Sequence, residues 1–190
     1  LPWVLLRYRG DDLAVPYGSE TPSVSPSPFV IDQRGKKFTP FVSIVPVGAT
    51  IRFPNSDDVR HHVYSFSKGN AFERKLYRAD DAQPVAFPTP GLVAMGCNIH
   101  DNMQAYVLVT DQPAWISDDT GRITLPAALP LNAMELWHPL LNGQGAFAPL
   151  RPTAINADTV ALPLTWVDPQ APRTQGDLEE LLRRFSVETP

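Results

Sequence analysis

The chain has 190 residues, 43% of them hydrophobic and 19% charged, with a formal net charge of −4. That is enough apolar material for a packed core, and the acidic balance argues against a nucleic-acid binder, which presents a basic face. The single cysteine excludes an internal disulfide, and no apolar run reaches the ~18–20 residues that a membrane-crossing helix needs.

Residues 1–8 (LPWVLLRY) form a compact apolar run, predicted as a strand and turned by Gly10, Asp11 and Asp12. Residues 20–28, rich in Ser and Pro, read as a connector. From Phe29 the pattern changes to strand lengths separated by turn residues. Strands are predicted at 41–46, 50–53, 62–66, 72–77, 85–87, 92–95 and 105–109. Val47-Gly48-Ala49, the run 54–58 and Pro88-Thr89-Pro90-Gly91 lie between them as turns. The 21 prolines and 11 glycines are spread between these apolar runs, which suits many short strands in an all-β sandwich or barrel. A second cycle follows Asp111. It has two strand ends around Asp118-Asp119-Thr120-Gly121, then strands at 133–137 and 159–167. A helical period occurs only at 177–185, where Leu178, Leu181, Leu182 and Phe185 share a face. Glu179–Arg183 and Glu180–Arg184 are i,i+4 pairs on that stretch.

The chemistry gathers at 95–103. Cys97, His100 and Met103 follow one another at three-residue intervals on the short link between two predicted strands. A thiolate, an imidazole and a thioether are soft donors. A second imidazole would complete the His₂Cys set with a weak axial Met that characterises electron-transfer copper sites. His61 and His62 can each supply it. As strand neighbours they face opposite ways, so one ion takes one of them. The competing reading makes Cys97 a small buried hydrophobe. One cysteine excludes a dinuclear copper centre that needs two, and no His-x-His motif supports a multicopper oxidase. His138 reads as a strand-end residue, and Asp57, Asp58, Asp80 and Asp81 read as solvated turns rather than a calcium site.

Four motifs fall in order over 31–109: Phe38-Thr39-Pro40, the run 53–57 (FPNSD), the run 61–67 (HHVYSFS) and the run 96–101 (GCNIHD). They resemble the cupredoxins of the plastocyanin and amicyanin kind. The match is more specific to the bacterial periplasmic type called methylamine utilisation protein. The resemblance implies a Greek-key β-sandwich over 27–111 holding one mononuclear type I (blue) copper. Aligning Val63 with the valine near the family's first ligand assigns His61, so the implied ligands are His61, Cys97 and His100, with Met103 axial. It further implies a periplasmic electron carrier rather than an enzyme, exchanging single electrons with a c-type cytochrome or a dehydrogenase through a near-surface His100. Asn55 and Asp57 are expected to brace the ligand loop. Pro90, Met95 and Met103 are expected to exclude water and form a docking patch. A copper carrier or buffer, and a structural subunit of a larger redox complex, are the alternatives.

Residues 112–172 are similar to the carboxypeptidase regulatory-like, transthyretin-like β-sandwich, with Ser117, Ile123 and Asn132 as departures. On this reading strand 1–9 completes that second, smaller prealbumin-like sandwich, and 173–190 form a short C-terminal helix and tail.

Overall fold

The computed structural model describes residues 2–9, 28–77, 83–125, 130–141, 147–151, 153–156, 159–162 and 164. Among them every regular element is a strand except one 3₁₀ turn at Leu131–Ala133. The predicted helix at 177–185 lies outside the described residues.

In chain order the strands are β1 (Leu5–Tyr8), β2 (Phe29–Val30), β3 (Asp32–Gln33), β4 (Phe38–Thr39), β5 (Val42–Val45) and β6 (Ala49–Arg52). Then come β7 (His61–Ser65), β8 (Phe72–Tyr77), β9 (Val85–Phe87), β10 (Gly91–Cys97), β11 (His100–Val109) and β12 (Ala114–Ile116). The last are β13 (Met134–Trp137), β14 (Ala148–Pro149), β15 (Thr153–Asn156) and β16 (Thr159–Ala161). A five-stranded sheet has the order β5-β11-β10-β7-β8, with β5 parallel to β11 and the other pairs antiparallel. It faces a three-stranded sheet of order β2-β6-β9.

Alternation along the strands builds the core between these sheets. Val93, Met95 and Cys97 of β10 and Met103, Ala105 and Val107 of β11 point inward, where they meet Ile51 and Phe87 of the opposite sheet. Phe53, Phe72 and Phe87 pack on one another, with centroids 5.5 to 6.5 Å apart. Phe53 thereby anchors the start of the 54–60 loop that delivers His61.

The N-terminal strand belongs to another sheet, of order β12-β1-β13-β14. β1 pairs antiparallel with β12 on one side and with β13 on the other, so the N-terminal strand lies between two strands that follow the five-stranded sheet in the chain. Glu135 of β13 takes bonds from Arg7 at 2.7 Å and from Arg9 at 3.3 Å across that pairing. One face of the sheet buries Leu6, Trp115, Met134 and Leu136. The other presents Leu5, Ala114 and Trp137 to Val42 and Leu108, on the outer face of the five-stranded sheet.

Several predicted elements differ in extent; β10 reaches Cys97, and the strand predicted at 159–167 ends at Ala161. β11 begins at His100 rather than Ala105, because pairing with β10 continues through Gly96–Gln104 to Cys97–His100. The polar residues 100–104 give no strand signal of their own. After β12 the chain forms a turn, not a second strand. The Asp118 carboxylate accepts from the Thr120 and Arg122 amides and the Thr120 hydroxyl, an Asx-type turn that closes the chain locally.

Candidate metal centre

β10 ends at Cys97 and β11 starts at His100, with Asn98 and Ile99 as the turn between them. The register slips between Gly96 and Cys97, and β7 and β8 slip likewise between His61 and Val63. Both irregularities flank the site, where bulges commonly re-aim side chains. Cys97 is also the Cα partner of Val63 on β7, which places it beside the entry of that strand.

The three side chains converge. Nδ1 of His61 lies 3.8 Å and Nδ1 of His100 3.7 Å from Sγ of Cys97. The two rings are 5.1 Å apart at the centroids, and the three donor atoms all fall within 4.8 Å of one another. These spacings suit a metal ion. With first-row metal bonds of about 2.0–2.3 Å to imidazole and thiolate and trigonal angles, nitrogen and sulfur sit about 3.8 Å apart. The donors are two imidazoles and a thiolate, the trigonal part of a blue-copper set. Met103, on β11, is buried and shares the apolar cluster with Cys97 and Met95.

His61 is completely buried, Cys97 is 5% exposed, and His100 is half-buried. His62 points the other way. Its Nε2 lies 3.0 Å from the Glu73 carboxylate, and its ring packs edge-on to Tyr64. The structure therefore brings His61, not His62, to Cys97 and His100.

The Asp57 carboxylate engages the 34–37 turn and His61 rather than the 98–103 loop. Asn55 braces its own loop, donating to the Val59 carbonyl at 2.8 Å and accepting from the Asp57 amide at 3.0 Å. Asp57 receives the amides of Gly35 at 2.6 Å and Lys36 at 2.9 Å, and its Oδ2 lies 2.7 Å from Nε2 of His61. Burial pushes the Asp57 carboxyl up, but the bonds from Lys36, His61 and Gly35 outweigh it and hold the group below the usual carboxylate range. A carboxylate only accepts, so Nε2 of His61 carries a proton toward Asp57 and Nδ1 is the nitrogen that faces Cys97. Among the described residues, Asp57 and Asp58 join no cluster of carboxylates that could hold a cation, and Asp80 and Asp81 lie outside those residues. The contact to His61 was not legible beforehand. Its one trace is the i,i+4 spacing of Asp57 and His61 outside any helix.

Met95 and Met103 are 3% and 1% exposed, so they exclude water but offer no docking surface. The exposed apolar side chains near the site are Ile99, in the turn, and Phe66, beyond β7. His138 is buried, bonded to the backbone of Leu140 and Pro2, and is not part of this cluster; it is a strand-end residue.

No protein-family model and no curated protein matches the chain. Solved structures do. A Cu-containing nitrite reductase from Thermus scotoductus SA-01 aligns at 24% identity and a TM-score of 0.42, over 46% of this chain and 23% of that one. A point mutant of amicyanin, in its reduced Cu(I) form at pH 4, aligns at 22% identity and a TM-score of 0.41, over 48% of this chain and 93% of that one. A second reduced amicyanin mutant aligns at 22% and 0.41, over 46% and 86%. The chain thus spans less than a quarter of the nitrite reductase it resembles.

Proposed function

We propose that this protein is a type I copper protein of the cupredoxin kind that carries single electrons, with His61, Cys97 and His100 as the trigonal ligands and Met103 as the axial contact. The observation that carries the proposal is the convergence of the His61 and His100 Nδ1 atoms on the Cys97 thiol, at 3.8 and 3.7 Å. Copper held there supplies a one-electron couple. The chain's own residues do the rest. Asp57 fixes the His61 ring, and the apolar cluster around Cys97, Met95 and Met103 keeps water away. The half-buried His100, next to exposed Ile99, is the least buried of the three donors.

A rigid ligand set suits electron exchange, because little needs to rearrange when the charge changes. Burial of His61 and Cys97 also favours retention over hand-off, which weighs against a copper carrier or buffer. The proposal places the protein in the periplasm, as a carrier rather than an enzyme, with a redox protein such as a c-type cytochrome or a dehydrogenase as its partner. It also divides the chain into a copper unit over 27–111, a second sandwich over 112–172 completed by strand 1–9, and a tail over 173–190. Support for that division is the pairing of β1 with β12 and β13 instead of with the five-stranded sheet. Among the described residues, no helix is long and apolar enough to cross a membrane.

The test is a visible and EPR spectrum after Cu(II) loading. The expected result is an intense thiolate-to-copper band near ~600 nm, a general property of such sites, that is absent in Cys97→Ser. A wild-type protein that takes up Cu(II) with no thiolate band overturns the proposal.

A further inference from the structure

Residues 34–37 form a tight hairpin turn between β3 and β4. Arg34 and Lys37 exchange both backbone bonds, at 2.9 and 3.2 Å. Gly35 and Lys36, between them, have φ of +63° and +59°. Two successive left-handed residues make a type I′ turn, which leaves both central amides pointing outward and unused by the ladder. Lys36 adopts a conformation that costs a side-chain-bearing residue roughly 1–2 kcal/mol. Both free amides end on one carboxylate, that of Asp57, whose remaining bond is to His61. The backbone beneath is tied to the same place: the Ser56 amide donates to the Gln33 carbonyl at 2.9 Å, and Gln33 Nε2 donates to the Phe53 and Pro54 carbonyls at 3.1 Å.

We infer that Asp57 is a positioning residue for the metal centre, and that the 34–37 turn exists to aim it. The carboxylate fixes the His61 proton on Nε2, turns Nδ1 toward Cys97 and adds negative charge to the imidazole from behind. A ligand so polarised is a stronger donor to the more oxidised ion. Replacing the carboxylate with a neutral amide weakens the site for Cu(II) more than for Cu(I) and raises the midpoint potential. The inference rests on the copper reading for its redox consequence, but its structural half, the His61 tautomer, is independent of any metal.

The experiment therefore has two arms. In the metal-free wild-type protein, nitrogen-15 NMR of the imidazoles is expected to show His61 as a single tautomer with a slowly exchanging Nε2–H. A proton found on Nδ1 overturns the inference with no variant needed. In Asp57→Asn, with its fold checked by circular dichroism, His61 is expected to lose that single tautomer, and Asp57→Glu is expected to restore part of it. The second arm loads Cu(II) and Cu(I). Asp57→Asn is expected to lose about 10–100-fold in Cu(II) affinity and less in Cu(I). Each tenfold change in that ratio reads as about 59 mV for one electron. An unchanged ratio together with an unchanged tautomer overturns the inference. A wild-type chain that binds no copper but shows the expected tautomer refutes the copper reading and leaves the role of Asp57 standing.

Discussion

Tyr106 packs edge-on against Trp137 with ring centroids 4.7 Å apart, across the seam between the five-stranded sheet and the β12-β1-β13-β14 sheet. Phe41 meets the other side of Tyr106 at 5.5 Å and is itself covered by Trp3 at 5.1 Å. The indole of Trp137 is completely buried and also touches the cluster of Leu5, Val42 and Leu108. Trp137→Ala removes the centre of the seam and is expected to cost about 3–5 kcal/mol. Urea denaturation followed by circular dichroism measures it. Trp137→Phe, which keeps an aromatic edge against Tyr106, is expected to recover much of the loss. A Trp137→Ala midpoint equal to the wild type would show that the seam holds nothing together.

His61 and His62 differ in side-chain direction alone, and that makes them a sharp pair of variants. His61→Ala removes a completely buried ring whose two nitrogens face Cys97 and Asp57, and is expected to abolish the thiolate-to-copper band. His62→Ala removes a ring that faces Glu73 and Tyr64, and is expected to leave the band unchanged. The Glu73 carboxylate is half-exposed, so the lost pair is worth about 0–1 kcal/mol. Absorption spectra of the two loaded variants decide the matter. The reverse outcome would move the ligand to His62.

Much of the sandwich was legible because its signals are local. Apolar runs such as Val42–Val45 and Val85–Phe87 sit between proline and glycine turns, and each turn marks where a strand must stop. The spacing of Cys97, His100 and Met103 put three donors on one link for the same reason. What was not legible depends on pairing at long range. Nothing in residues 1–8 says that Leu6 will face Trp115 and Leu136. Nothing in 100–104 says that a polar segment will be drawn into a strand by β10. The sequence predicts Asp57 as a brace of the ligand loop, whereas its carboxylate takes the amides of the 34–37 turn. That its second oxygen reaches His61 depends on a bulged loop whose shape no periodicity encodes.

Gly69 tests how β8 and β10 are held at the far end of the sandwich. Its φ is +78°, and a Cβ there would run into the Thr89 side chain, whose hydroxyl donates to the Gly69 carbonyl at 3.1 Å. Asn70 and Thr89 lock the same contact reciprocally, at 2.7 and 3.2 Å. Gly48 offers the control: its φ is +83°, but nothing lies within 4 Å of a Cβ. Gly48→Ala is expected to cost only the left-handed backbone penalty, roughly 1–2 kcal/mol. Gly69→Ala carries that penalty and the collision, so its thermal midpoint is expected to fall further. Equal midpoints for the two variants would show that the Thr89 loop simply moves aside.

His138 ties the turn after β13 to the N-terminal segment. Its Nδ1 accepts from the Leu140 amide at 3.2 Å, and its ring is bonded to the backbone of Pro2. Proline has no amide hydrogen, so the ring donates to the Pro2 carbonyl through Nε2 and is neutral with both nitrogens engaged. Burial pushes the His138 pKa below the ordinary histidine value and outweighs the opposing Pro2 bond. The unfolded chain therefore binds this proton first as pH falls. The stability that neutral His138 contributes is whole above about 6.5, is lost as pH falls toward the folded pKa, and changes no further below it. Asparagine can still accept from Leu140 but takes up no proton. His138→Asn is expected to be less stable than the wild type at pH 7.5, for want of the Pro2 bond, and to lose less on going to pH 5. Urea denaturation at a series of pH values measures both curves. His61, His62 and His100 are common to both proteins, so the difference between the curves isolates His138. Parallel curves would show that His138 takes up its proton in the folded chain as readily as in the unfolded one.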